Sequence, residues 1–133
     1  MIENILGKLY QDGEYIVTQG EEGNTMFVVL SGKLQVFGEQ DGHEIPFAVL
    51  ERGDFFGEMA LFEKGAQRSS TVRALGDAQV MTLDKRTLLR RINEDPLFAL
   101  QIIETLCQRL RKISNEYTAL STATPMFIEQ AAP

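Results

Sequence analysis

Residues 53–72 read Gly53-Asp54-Phe55-Phe56-Gly57-Glu58-Met59-Ala60-Leu61-Phe62-Glu63-Lys64-Gly65-Ala66-Gln67-Arg68-Ser69-Ser70-Thr71-Val72. Gly57 permits a sharp turn and a close approach of backbone to a ligand. Glu58 to Phe62 can follow as a short helix, whose first amides lack internal partners and carry the positive end of the dipole. Such an end suits a phosphate. Lys64-Gly65-Ala66-Gln67 leads back to Arg68, whose planar fork matches two phosphate oxygens. Ser69 sets a hydroxyl and an amide beside it, and Ser70 follows. An acid at position 58 would be perverse for phosphate alone. It makes sense if Glu58 accepts hydrogen bonds from a ligand hydroxyl, as an acidic residue does for a ribose in dinucleotide folds. Taken singly, Glu58 and Arg68 read better as structural residues, such as a surface ion pair worth ~0–1 kcal/mol. Together with Gly57, Ala60, Leu61 and Ser69 at this spacing, they favour a binding role.

Outward from this stretch the composition breaks. All 11 glycines lie between Gly7 and Gly76. They punctuate short segments rich in β-branched and aromatic residues: Tyr15–Thr18, Met26–Leu30, Lys33–Phe37, Ile45–Leu50, Ser70–Leu75 and Gln79–Leu83. Leu34 and Val36 alternate with polar neighbours, as on a strand with one wet face. Met26 to Leu34 reads as two strands meeting at a turn near Ser31-Gly32. From Asp84 the period becomes helical. Asp84 can cap a short helix through about Ile92, and Asp95 followed by Pro96 starts a longer one reaching about Leu120. Ile103, Leu106, Leu110, Ile113, Tyr117 and Leu120 form a heptad seam. That seam either packs on the strand body or makes a helix–helix dimer contact. The expected fold is mainly β with C-terminal α. It is an antiparallel β-roll or jelly-roll barrel over about 10–84, with a short phosphate-binding helix in its wall and two C-terminal helices over about 85–120. The tail 121–133 has no strong period and is expected to be partly disordered.

Length and composition fit one domain: 133 residues, 44% hydrophobic and 24% charged. The net charge of −6 is uneven. Residues 1–84 hold 6 Lys/Arg against 14 Asp/Glu, a balance of −8, whereas residues 85–133 hold 7 against 5, a balance of +2. Nothing here resembles the basic face of a nucleic-acid binder. An anion bound by the acidic half needs a local pocket, because the overall field opposes it. There is no run of ~18 apolar residues for a membrane helix and no signal-peptide start. Cys107 is the single cysteine, which favours a reducing, cytoplasmic setting; its helical context reads as a small core residue. Arg73 alternates to the solvent side of its strand, and Arg109, Arg111 and Lys112 read as a solvated helix face. A metal-dependent β-barrel enzyme needs several histidines, and His43 is the only one. No nucleophile motif and no phosphate-binding Gly-Lys-Ser/Thr loop is present, so neither catalysis nor a metal is expected.

The segment resembles the phosphate-binding cassette of the cyclic-nucleotide-binding domain family, whose pattern is roughly F-G-E-[LIM]-[AG]-L, a gap, then R-[AST]-[AS]-x-V. The matching residues are Phe56-Gly57-Glu58-Met59-Ala60-Leu61 and Arg68-Ser69-Ser70-Thr71-Val72. Upstream, Gly20-Glu21-Glu22-Gly23 and Phe27 to Gly32 are similar to the family's early glycine turns, and the likeness covers about residues 5–120. The resemblance implies that Arg68 pairs with the cyclic phosphate of cAMP or cGMP and that Glu58 accepts from the ribose 2′-hydroxyl. It further implies that the amides of Gly57, Met59 and Ala60 line the sugar-phosphate, completed by Ser69 and its amide with Ser70 alongside. Ser69 leans to cAMP, because the family associates threonine there with cGMP. Where bacterial members place a Thr-Ser pair on the long helix against adenine, this chain has Ile113-Ser114, and Ile113 can cap the base only by apolar contact. With 13 residues after Leu120, the chain is expected not to read DNA as those members do.

Two functions fit this reading. One is a cyclic-nucleotide sensor that relays occupancy through its C-terminal helix. The other is a nucleotide-insensitive relative that dimerises or docks through the 96–120 helix.

Overall fold

A computed structural model describes residues 7–120; the expectation of a disordered tail at 121–133 lies outside them. The chain divides into two compact units, Met1–Leu89 and Arg90–Pro133.

The first unit is built on two long antiparallel strands, β3 (Met26–Gln40) and β6 (Thr71–Leu83), in register from Met26↔Leu83 to Phe37↔Thr71. Each long strand takes two short partners in succession along its outer edge. For β6 these are β1 (Lys8–Tyr10) and β2 (Tyr15–Val17); for β3 they are β5 (Phe55–Phe56) and β4 (His43–Leu50). All pairings are antiparallel, in the order β1-β6-β3-β4. The sheet is an open roll, not the closed barrel that the many short strands also allowed. Hydrogen bonding ends at β1 on one side and β4 on the other.

The expected turn at Ser31-Gly32 is absent. β3 runs straight through it, absorbing two register shifts against β6, between Val29 and Ser31 and between Ser31 and Lys33. Gly32 is needed at this bulge because a side chain there would overlap the Asp77 carbonyl across the ladder. The same glycine is thus legible as punctuation without revealing that the strand continues. The segments Ser70–Leu75 and Gln79–Leu83 likewise merge into β6. The true hairpin turn is Asp41-Gly42, where Gln40 pairs with His43 and both loop residues have positive φ (54° and 81°), as a two-residue turn requires.

The core is a cluster of Tyr10, Phe27, Val29, Leu34, Phe56, Val72, Ala74, Ala78 and Val80, drawn mostly from the two long strands. Phe27 and Phe56 stack at 4.9 Å between ring centroids. On β6, Arg73 does not simply face solvent. Its fork meets the Glu44 carboxylate at 3.1 and 3.2 Å and Gln35 Oε1 at 2.7 and 3.0 Å, over the Phe37 ring at 4.3 Å. This ties β4, β3 and β6 together on one face.

Between β5 and β6 stands a single helical turn, α1 (Met59–Phe62). After β6, Asp84 caps α2 (Lys85–Glu94) by accepting from the Thr87 amide at 2.7 Å. Asp95 accepts from the Leu97 amide at 3.2 Å at the start of α3 (Pro96–Leu120). In the second unit α3 buries none of its side chains, and Cys107 is exposed, not a core residue as its apolar context implied. A heptad period shows which residues share a stripe, not whether anything covers it. No helix of the described residues is long and apolar enough to cross a membrane.

Candidate functional site

The site grows from two segments far apart in sequence. The first is the loop between β2 and β3. Gly20 N donates to the Arg68 carbonyl at 2.8 Å, Arg68 N donates to the Glu21 carbonyl at 2.7 Å, and Gly23 N donates to the Ala66 carbonyl at 3.3 Å. A bridge between Glu22 and Gln67 completes this short antiparallel ladder. At its start the Gln19 amide donates to Thr71 Oγ1 at 2.9 Å, and Gln19 Oε1 accepts from the Glu39 amide at 2.9 Å. The backbone on both sides of Arg68 is therefore held by a loop that begins about 50 residues earlier.

The second segment is the turn into α1. Gly57 has φ of +79°, a left-handed conformation that glycine adopts without steric cost. It throws the chain out of β5 into a tight turn. The Ala60 amide donates to the Gly57 carbonyl at 3.2 Å and the Leu61 amide to the Glu58 carbonyl at 3.1 Å. No backbone carbonyl among the described residues accepts from the amides of Gly57 or Met59. Glu58 sits half-buried at the N-cap of α1, while the Met59 side chain is exposed and buried Leu61 anchors the turn.

Arg68 joins the two. Its Nη1 donates to the Thr25 carbonyl at 2.9 Å and, over a longer 3.4 Å, to the Gly57 carbonyl. Its Nη2 donates to Thr25 Oγ1 at 3.3 Å. Its Cζ lies 5.4 Å from the centroid of the Phe27 ring that stacks on Phe56. A guanidinium has five N–H donors. Three are thus occupied. Nε and the second Nη2 hydrogen, which share one edge of the fork, meet no acceptor among the described residues. Burial holds the guanidinium below the ordinary arginine value, and the Glu21 carboxylate offsets part of that shift. A cation already partly desolvated interacts more strongly with an arriving anion than one in bulk water.

Gly57 and Arg68 of the expected set are brought into direct contact, with Glu58, Met59 and Ala60 following in the same turn. Ser69, exposed, and Ser70, half-buried, continue from Arg68 into β6. Ile113 and Ser114 lie on α3 in the second unit. Ile113 is exposed, and the Ser114 carbonyl accepts from Thr118 Oγ1 at 2.9 Å. The residues that sequence reasoning did not place in the site are Gly23, Thr25 and Phe27. The turn Gly20 to Gly23 was visible, but nothing local shows that Thr25 meets an arginine 43 positions away.

Comparison with known proteins places the chain in a family. The profile of the cyclic nucleotide-binding domain family matches residues 8–95. The chain is 35% identical over 115 residues to a cyclic AMP receptor protein of Thermus thermophilus, covering 86% of this chain and 53% of that protein. It is 32% identical over 80 residues to human cGMP-dependent protein kinase 2, covering 59% of this chain and 10% of the kinase. The crystal structure of Thermus thermophilus catabolite activator protein superposes with a TM-score of 0.75 at 34% identity, covering 86% of this chain and 54% of that one. The chain thus spans about half the length of the Thermus protein, or less of the kinase.

Proposed function

We propose, from the premise that this chain belongs to the cyclic nucleotide-binding domain family, that it senses a cyclic nucleotide by gripping the cyclic phosphate with Arg68. The observation that carries this is the Arg68 fork: three donors tied to the protein, and an open edge of two left for two oxygens of one anion. The amides of Gly57 and Met59 supply further donors, and Glu58 takes the ribose 2′-hydroxyl. Ser69 and Ser70 complete the cradle. Ser69 favours cAMP over cGMP, a preference consistent with the likeness to a cyclic AMP receptor protein, though the cGMP-dependent kinase stands nearly as near in identity.

The role is regulatory, not catalytic, and a cytoplasmic setting belongs to the same reading. Nucleotide would tighten the turn at Gly57 and bias α3, because a ligand shifts an equilibrium by as much as it prefers one state. Ile113 and Ser114 on α3 would then meet the base. A second copy, docked along the 96–120 helix, is the proposed partner for the seam.

The test is thermal melting with and without cAMP or cGMP. Ligand at 100 times its dissociation constant stabilises by about 2.7 kcal/mol. No shift with either nucleotide refutes the sensor.

A second reading is favoured by one observation: Ile103, Leu110 and Ile113 on α3 are 55%, 66% and 62% exposed, an apolar seam open without any ligand. On that reading the domain is a nucleotide-insensitive dimerisation module. Light scattering separates the two, since a dimer unchanged by nucleotide, together with no melting shift, belongs to the second.

A further inference from the structure

The Arg68 fork lies flat against a residue that has no side chain. A Cβ added to Gly23 would overlap Cζ, Nε and Nη2 of Arg68 alike, so it would press on the side of the fork that holds its two unoccupied donors. Gly23 cannot easily retreat. Its amide donates to the Ala66 carbonyl, and the ladder from Gly20 to Gly23 is paired with residues 66–68. Nor is Gly23 needed for an unusual backbone: its φ lies outside the left-handed region, in contrast to Gly57. What this position requires is absence of volume.

We propose that Gly23 is a positioning residue for anion recognition: it acts through Arg68 alone, by providing the bare backbone surface on which the guanidinium lies with its open edge toward the ligand. The inference rests on the proposed role of Arg68 and deepens it. A side chain at position 23 leaves the strands intact, because the atoms it meets are the far end of a flexible side chain. It lifts the fork off the Thr25 and Gly57 carbonyls and turns the Nε–Nη2 edge away. Site groups must be held closely to their productive geometry, so a small displacement of the fork lowers affinity, and it costs stability only through the clash with Arg68.

The experiment is a double-mutant cycle of Gly23→Val with Arg68→Ala, melted without ligand, alongside calorimetry of wild type and Gly23→Val with cAMP and with cGMP. Gly23→Val should weaken binding by about tenfold or more, the cost of misaligning one charge-assisted hydrogen bond. Its melting penalty should shrink in the Arg68→Ala background, where the new side chain fills vacated space. Unchanged affinity overturns the proposal, and so do melting penalties that simply add. If Gly23→Val folds only when Arg68 is gone, that rescue supports it. If Gly23→Val folds in neither background, Gly23→Ala takes its place in the same cycle under the same criteria. Should wild type bind neither nucleotide, the reading of Arg68 as a phosphate ligand fails, and the ligand-free cycle alone decides whether Gly23 positions it.

Discussion

Arg68 Nη1 donates to the Thr25 carbonyl at 2.9 Å, and Arg68 Nη2 donates to the hydroxyl of the same threonine at 3.3 Å. One residue immediately before β3 thereby fixes two corners of a fork that belongs to the far side of the cassette. The arginine is oriented before any ligand arrives, so binding need not order it, which lowers the entropic cost of association.

Thr25→Val keeps the carbonyl and removes the hydroxyl. The expected result is a loss of about 0.5–1.5 kcal/mol in nucleotide affinity, the net value of one hydrogen bond. The ligand-free melting temperature should move little, since this contact is only partly buried. Calorimetry and melting on the same sample check both.

Gly57→Ala acts differently. It places a side chain on a φ of +79° and brings its Cβ to 2.7 Å from Arg68 Nη1. The left-handed conformation alone costs about 1–2 kcal/mol. Stability and affinity should therefore fall together, read by denaturant melts and by titration.

Arg73 serves as the contrasting arginine. Its bond to Glu44 raises it above the ordinary arginine value, and the pair ties β4 to β6. Because the Glu44 side chain is 48% exposed, Glu44→Gln should cost no more than about 1 kcal/mol. Nucleotide affinity should stay as in wild type. A large affinity loss in Glu44→Gln would mean that this face belongs to the site.

Tyr10 supplies a pH signature of the core. Burial, with help from the Glu14 charge, raises its hydroxyl above the usual value of 10.0. A group raised in the folded state favours folding below its unfolded value and loses that contribution as pH climbs through the folded one. Stability should therefore decline above pH 10, and Tyr10→Phe should decline less steeply. Parallel alkaline melting curves for the two proteins would contradict this.

Much of this was legible in the sequence because its causes are local. Gly57 needs a positive φ, and Asp84 and Asp95 cap the helices that follow them. The cassette is legible because its parts, Gly57 to Ser70, lie within 14 residues. What escaped depends on pairing across the sheet. The bulge that carries β3 through Gly32 is set by the Asp77 carbonyl on β6, and the Arg73 clamp by Glu44 on β4. Thr25 and Gly23 reach Arg68 only once β3 and the cassette are folded together. Exposure of Cys107 is invisible for a related reason, because periodicity names a stripe and not its cover.

The central claim is that the open edge of Arg68 grips a cyclic phosphate, and titration calorimetry of wild type and Arg68→Ala with cAMP and cGMP tests it most directly. Wild type should bind, cAMP more tightly than cGMP. Arg68→Ala should lose roughly 2–4 kcal/mol, or about 30-fold to 1,000-fold, as expected when a bidentate charge-assisted pair is removed. Equal binding by the two proteins, or none by wild type, would contradict the account.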